Sequence, residues 1–427
     1  MSFHDELTGL ANKTLFDEKV DIAIKLYKNT HGKMLGVLYF DLDRFKLIND
    51  YLGHNIGDQI LKIIAQRIQS SVRRNDIAAR QGNDEFTILL DNVTKHEVDI
   101  LAQRFADQIA EPIMIKGQEV FLTPSIGISL YPADGKNAND LIRKADMAMY
   151  HAKKEGRNNI QFYHANLEKN NSNRIILENE LRKAIEKNEF ILHYQPIIDL
   201  ATNKINGVEA LIRWEHPEQG IVLPDKFIPI AEETGMIIPI GEMVLRKACY
   251  QLKKWRESEL LLPTISVNIS IRQFYQPNLV SMIEQIINET SIEPNCLTIE
   301  ITESMTMDVE KASIILNDLK NIGVNISIDD FGTGYSSLSY LKKFPIDNLK
   351  IDRSFISDIA KSKDDENIAT MILLMADNLG LSVIAEGVET REQLGVLRQH
   401  RCNEAQGFLF SKPLAEDDMK EFLSNLP

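Results

Sequence analysis

One repeating pattern in the second half of the sequence limits what this chain can fold into. Short apolar runs recur, each with a polar residue at its C-terminal end. They are "FILHYQP" (Gln195), "GVEALIRW" (Glu209), "TISVNIS" (Asn268), "LTIEITES" (Glu300), "NISIDDFG" (Asp329, Asp330), "NLKIDRSF" (Lys350), "SVIAEGVE" (Glu386, Glu389) and "EAQGFLF" (Gln406). Runs this short and apolar read as buried strands. Helix-like segments such as "MIEQIINETS" and "KASIILNDLKNIG" separate most of them. Alternating strands and helices predict a parallel sheet. Eight such strands, with their chemistry at one end, predict a (β/α)8 TIM-type barrel whose active site lies on its C-terminal face. The first two strands are too close for a full helix between them, so the barrel is expected to be irregular there.

On such a face the carboxylates of Glu209, Glu300, Asp329, Asp330 and Glu386 converge. Like charges crowded together repel unless something neutralises them. Every candidate ligand is oxygen-based, which suits hard divalent cations such as Mg2+ or Mn2+. The adjacent pair Asp329-Asp330 suits two ions, with one carboxylate bridging. Two such ions activate a water and clamp a phosphate for in-line displacement. Lys350 can orient that water or balance charge beside the phosphate. A lone acid at a strand end is usually a helix cap or a surface residue. The ordered series Glu, Asn, Glu, Asp-Asp, Lys, Glu is not accounted for in that way.

Up to about Tyr163 the sequence mixes strand-like runs ("LGVLYFDLD", "EFTILL", "LTPSIGISLYP") with amphipathic helical stretches. Within "ARQGNDEFTILL", Gly82 and Asn83 mark a tight turn between two strands. Asp84 and Glu85 beside it read either as a solvated hairpin or as a metal and phosphate site. Asp41 and Asp43, two apart in a strand-like run, are expected on one face. "HANLEKNNSN" is polar and Asn-rich and reads as a linker. The division expected is therefore residues 1–163, a linker over 164–174, and residues 175–427.

The net charge of −14 argues against non-specific grip on a nucleic acid polymer. Clustered acids can still take a phosphate ligand through divalent cations. The cysteines, Cys249, Cys296 and Cys402, are odd in number and far apart, which fits a reducing cytosol. No run is long and apolar enough for a membrane span. "MSFHDELTGL" lacks the basic and apolar regions of a secretory signal.

From Arg174 to Pro427 the motifs "EALIRW", "SVNIS", "EITES", "DDFGTGYSSL", "LKIDRSFI", "AEGVET" and "QGFLFSKPL" resemble, in order, those of the EAL domain, a family of cyclic di-GMP phosphodiesterases. The resemblance implies a TIM-type barrel, usually dimeric. It implies cleavage of one phosphodiester bond of cyclic di-GMP to give linear pGpG, with two metal ions per site. Implied metal ligands are Glu209, Asn268, Glu300, Asp329, Asp330 and Glu386, with Lys350 assisting the water. Gln195, Arg213 and Gln406 would contact the substrate. The loop from Asp330 to Ser337, with Gly332 and Gly334, resembles the family's dimer-linked regulatory loop, anchored by Glu303.

From Phe3 to Tyr163, "DELTGLANK", "YFDLDRFKLINDYLGHNIGD" and "GNDEF" resemble the GGDEF domain, the diguanylate cyclase family. The fold implied is an α/β sandwich with an antiparallel sheet, like adenylyl cyclase catalytic domains. Asp41, the Leu42 carbonyl and Asp84 would hold metals, with Glu85 beside them in the catalytic motif. Asn49 and Asp58 would read guanine. Lys46, Lys153 and Arg157 would meet the triphosphate of Mg2+-bound GTP. Arg73 and Asp76, in "RRND", resemble the family's inhibitory site for cyclic di-GMP. Asn83 stands where the motif has its second Gly, a position that favours φ > 0. Asn tolerates that region better than most residues.

The reading with most support is a cyclic di-GMP phosphodiesterase whose GGDEF half binds GTP and regulates it. Alternatives are a bifunctional enzyme that also joins two GTP into cyclic di-GMP, and a non-catalytic cyclic di-GMP receptor. A homodimer is expected, in the cytoplasm or as the cytoplasmic part of a membrane-anchored protein. Tandems of this kind usually follow a sensor domain, so an N-terminal one is expected in a longer native chain.

Overall fold

A strand that is apolar along its whole length needs cover on both faces. The run "MLGVLYFDL" obtains it. In the computed structural model, which describes residues 3–27, 34–115, 117–258, 262–333 and 341–424, this run is the strand Met34–Leu42, buried from Leu35 onward. The chain divides into two compact units, Met1–Asn173 and Arg174–Pro427.

The first unit is built on a six-stranded sheet. Its strands are β1 (Ala11–Asn12), β2 (Met34–Leu42), β3 (Ile77–Gly82), β4 (Glu85–Val93), β5 (Pro124–Tyr131) and β6 (Ile160–Phe162). The order is β1-β3-β4-β2-β5-β6. The four central strands are antiparallel, as expected, but the edge strands β1 and β6 pair in parallel. Helices His54–Ser71 and Lys95–Ala110 cover one face with Phe40, Phe86 and Ile126. Helices Lys13–Tyr27 and Ala138–Lys154 cover the other with Val37, Tyr39 and Leu89.

β2 ends at Leu42, and the Asp43 amide carries its pairing one residue further by donating to the Thr123 carbonyl (2.8 Å). The Asp43 carboxylate accepts from Thr123 Oγ1 (2.8 Å), Ser125 Oγ (2.7 Å) and the Asn158 amide (3.0 Å). Ser125 lies opposite Asp41 in the sheet, so its bond to Asp43 keeps the two acids on one face, as their two-residue spacing predicts.

The stretch read as a linker is helical. Helix Ala165–Lys187 runs through residues 165–174. Propensity is a weak prior, and an Asn-rich composition does not by itself break a helix.

In the second unit, β7 (Phe190–Asp199), β8 (Ile205–His216), β9 (Thr264–Asn268), β10 (Leu297–Thr302), β11 (Asn325–Phe331), β12 (Asn348–Ile351), β13 (Ser382–Ala385) and β14 (Glu404–Ala405) form an eight-stranded closed barrel. The short strand Gly220–Val222 adds to β8 outside it. β8 to β14 run parallel, whereas β7 is antiparallel to both β8 and β14. The wholly parallel sheet predicted from the strand–helix alternation is therefore corrected at its first strand. The reason is the connection. Only residues 200–204 join β7 to β8, enough for a hairpin and far too few for a parallel crossover. Asp199 closes the turn, accepting from the Thr202 amide (2.6 Å) and hydroxyl (2.8 Å).

Candidate active site

Register brings the barrel's polar strand ends together. Glu209 pairs with Gln195 on one side and Ser266 on the other; Asn268 lies opposite Glu300, and Thr302 opposite Asp329. Lys350 stands in their midst, fully buried. Its Nζ is 2.8 Å from Glu300 Oε2, 2.8 Å from Glu386 Oε1, 3.3 Å from Glu209 Oε2 and 3.3 Å from Asp329 Oδ1. Burial alone would drive the proton off this amine, but the four carboxylates outweigh it and hold Lys350 above the usual lysine range.

The acids differ among themselves. Burial pushes the carboxyls of Glu209, Glu300, Asp330 and Glu386 upward. At Glu209 the opposite pull of Lys350, the Gln406 amide (2.7 Å) and the Asn268 amide (2.6 Å) wins, so it stays ionised. Glu300 has Lys350 but also the negative charges of Glu209 and Asp329, and is raised well above its ordinary value. Glu386 is pushed up to about 8 by burial, despite Lys350, with Asp329 and Glu209 adding to the rise. Asp330 is raised by burial and then by Asp329.

This set fits divalent cations on its own chemistry. Five carboxylates face one buried ammonium. Carboxylate oxygens of Asp329, Asp330 and Glu386 lie within 4.8 Å of one another. Glu300 Oε1 is buried with no hydrogen-bond partner among the described residues. Asp330 adopts φ 54°, and its amide donates to Asp329 Oδ1 (2.9 Å).

The predicted substrate contacts also gather here. Gln406 donates to Gln195 Oε1 (2.9 Å), and Gln195 donates to the Ser411 carbonyl (3.0 Å). Arg213 is half-buried and faces Glu209 and Asp225. Glu303 Oε2 accepts from the Gly332 amide (3.0 Å). Gly334 lies outside the described residues.

The first unit has a second, smaller cluster. Asp41 Oδ2 pairs with Lys153 Nζ (2.7 Å). Burial pushes Asp41 up to about 6, against Lys153, with Asp84 adding to the rise. Burial also raises Asp84. Glu85 sits opposite Asp41 in the sheet and accepts from Tyr39 OH (2.8 Å). Leu42 pairs with Pro124, which has no amide hydrogen to offer its carbonyl. Asn83 takes φ 43°, and Arg80 grips its carbonyl (2.6 Å) while pairing with Asp5 (3.1 Å). The turn therefore keeps left-handed geometry without a glycine at that position.

Arg157 is exposed and lines a groove of about 1130 Å3 with Arg44, Leu47, Tyr51 and Phe121. Lys46, Asn49 and Asp58 do not line that groove. Asn49 instead packs on Gly57, where an added Cβ would come within 1.9 Å of its Oδ1. Asp76 gives one oxygen to the Arg73 amide (2.9 Å) and the other to the Asp91 amide (3.1 Å), so it braces a turn, while Arg73 is exposed.

Asp146 was not singled out in the sequence. It is half-buried, near Glu85 and Lys153, and burial raises its pKa. Its signal was available: Asp146 and Lys153 are seven apart on one helix, hence on one face.

Residues 178–413 match the EAL domain family, and residues 2–159 match the diguanylate cyclase, GGDEF domain family. Over 99% of its length the chain is 42% identical to the cyclic di-GMP phosphodiesterase NbdA of Pseudomonas aeruginosa. Over 98% it is 41% identical to the bifunctional diguanylate cyclase/cyclic di-GMP phosphodiesterase MucR of the same organism. It spans 54% and 61% of the lengths of these two relatives. The solved structure of the PaMucR phosphodiesterase in complex with c-di-GMP is 44% identical, covering 57% of this chain and 99% of that one, with a TM-score of 0.56. Matched motifs, strand ends and relatives agree: the chain belongs to the EAL domain family, with a GGDEF domain ahead of that domain.

Proposed function

We propose that this chain hydrolyses cyclic di-GMP to linear pGpG in its barrel, which we read as a TIM-type (β/α)8 variant. The observation that carries the reading is Lys350, fully buried among four carboxylates that lie on or just after four strands of the barrel. Two divalent cations, Mg2+ or Mn2+, would supply a water acidic enough to ionise near neutral pH and neutralise charge on the phosphate. Glu209, Asn268, Glu300, Asp329, Asp330 and Glu386 would hold them. Lys350 keeps its proton and orients the attacking water by donating to it. Gln195, Arg213 and Gln406 hold the substrate against the site floor. Glu303 holds the Gly332 turn.

The first unit binds Mg2+-GTP through Asp41, Asp84, Lys153 and their neighbours and regulates the barrel. A second reading, that it also joins two GTP into cyclic di-GMP, is favoured by the left-handed turn at Asn83. The protein works as a homodimer; helix Lys363–Leu379 exposes Ile368, Met371 and Leu374 at helical spacing, a face suited to a second copy. It acts in the cytoplasm, and in a longer native chain a sensor domain precedes it.

The test is hydrolysis of cyclic di-GMP with Mg2+, resolved by chromatography, for the parent chain and for Glu209→Ala. The parent should release pGpG and the variant should lose at least 100-fold in rate, on the order expected when a metal-site ligand is removed. Turnover unchanged in the variant would refute the assignment of the site. A parallel incubation with GTP decides the second reading: cyclic di-GMP accumulating in Glu209→Ala supports it.

A further inference from the structure

The turn after Lys350 touches both sides of the metal cradle. The one-turn helix Arg353–Ile356 follows β12 directly. Two glycines with left-handed φ face it: Gly332 (φ 100°), just after Asp330, and Gly387 (φ 68°), just after Glu386. An added Cβ at Gly387 would lie 2.4 Å from Arg353 Cγ, and one at Gly332 would lie 2.8 Å from Phe355 Cε2. The Arg353 stem therefore lies on the Glu386 turn and the Phe355 ring on the Asp330 turn.

A second contact fixes the Glu386 side. Arg353 Nη2 pairs with Glu389 Oε1 at 2.7 Å. Gln393, buried, accepts from the Glu389 amide (2.7 Å) and the Thr390 amide (2.8 Å). Its own Nε2 donates to the Ser357 carbonyl (2.9 Å). The backbone just past Glu386 is thus tied, through one buried amide, to the chain just past Lys350.

We propose that Arg353, Phe355 and Gln393 are positioning residues that set the spacing between Glu386 and the Asp329-Asp330 pair, and hence the fit of the cradle to its cation. Among the described residues, none of the three makes a hydrogen bond or ion pair to the carboxylates that would ligate. They act by holding the two turns that aim them, and displaced ligands lose metal affinity steeply. The inference rests on the proposed metal-dependent reading of this site.

The experiment is calorimetric titration of the full chain with Mn2+ alone, after chelator treatment. Variants are Arg353→Ala, Arg353→Lys, Phe355→Leu and Gln393→Met, with Asp329→Asn as the ligand control. Each chain is also unfolded thermally without metal. Arg353 is largely exposed, so Arg353→Ala is expected to fold even if a buried variant does not. Arg353→Ala should weaken Mn2+ binding by about 10-fold or more with little change in metal-free melting. Arg353→Lys, which keeps the stem on Gly387 and a cation for Glu389, should recover most of the loss. Parent-like Mn2+ affinity in Arg353→Ala and in every folded variant would overturn the positioning role, provided that Asp329→Asn binds weakly. A parent chain that binds no Mn2+, or an Asp329→Asn variant that binds like the parent, overturns the metal reading itself and the inference with it.

Discussion

Lys350 has no exposed surface, yet its ammonium stands within 3.3 Å of four carboxylates. An arrangement like this is poor at stabilising a fold, because taking ions out of water costs about what their attraction returns. Removing one partner is different, since it leaves charges buried without compensation. Lys350→Met should therefore lower the metal-free stability of the second unit by roughly 3–5 kcal/mol. Thermal unfolding in chelator checks this, and a melting temperature equal to the parent's would show that the acids already share protons in place of the ammonium. Asn83 illustrates how far a single residue can be read from sequence. The tolerance of Asn for φ > 0 was legible, and the turn adopts φ 43°. The chain of contacts that supports it, Asp5 to Arg80 to the Asn83 carbonyl, was not, because it joins residues 75 positions apart. Asp43 was legible from periodicity alone, since it reaches Ser125, the residue opposite Asp41.

At the scale of elements, the strands of the barrel were legible because each is a short apolar run that ends in a polar residue. Strand direction was not. Apolar pattern is the same whichever way a strand runs, and β7 is antiparallel because its connection to β8 is a five-residue hairpin. That connection length was in the sequence, and it marked the irregularity without its sign. If the Asp199 carboxylate holds the hairpin closed, Asp199→Ala should cost about 1 kcal/mol, the ordinary contribution of a local side-chain-to-amide bond. Chemical denaturation measures this directly. No loss of stability would mean that the β7–β8 and β7–β14 ladders alone determine the reversal. Gln393 and Arg353 went unnoticed for a related reason. Their roles depend on two loops meeting in space, and no spacing along the chain announces it.

At the scale of the whole molecule, the apolar residues form separate cores. Leu38, Phe40 and Ile126 belong to one in the first unit, Val37 and Tyr39 to another across the same sheet, and the barrel strands and their helices to a third. Units with their own cores can unfold as separate transitions. A ligand stabilises only the unit that binds it, by RT ln(1 + [L]/Kd), about 2.7 kcal/mol when the ligand is at 100 times its Kd. For a unit the size of the barrel this raises the melting temperature by roughly 5–10 °C. Scanning calorimetry of the full chain should therefore give two transitions. Mn2+ without nucleotide should raise the barrel's, identified by its disappearance or shift in Lys350→Met, and GTP with Mg2+ should raise the other further than Mg2+ does alone. A single transition that moves as a whole with either ligand would instead mean that the two units unfold as one cooperative body.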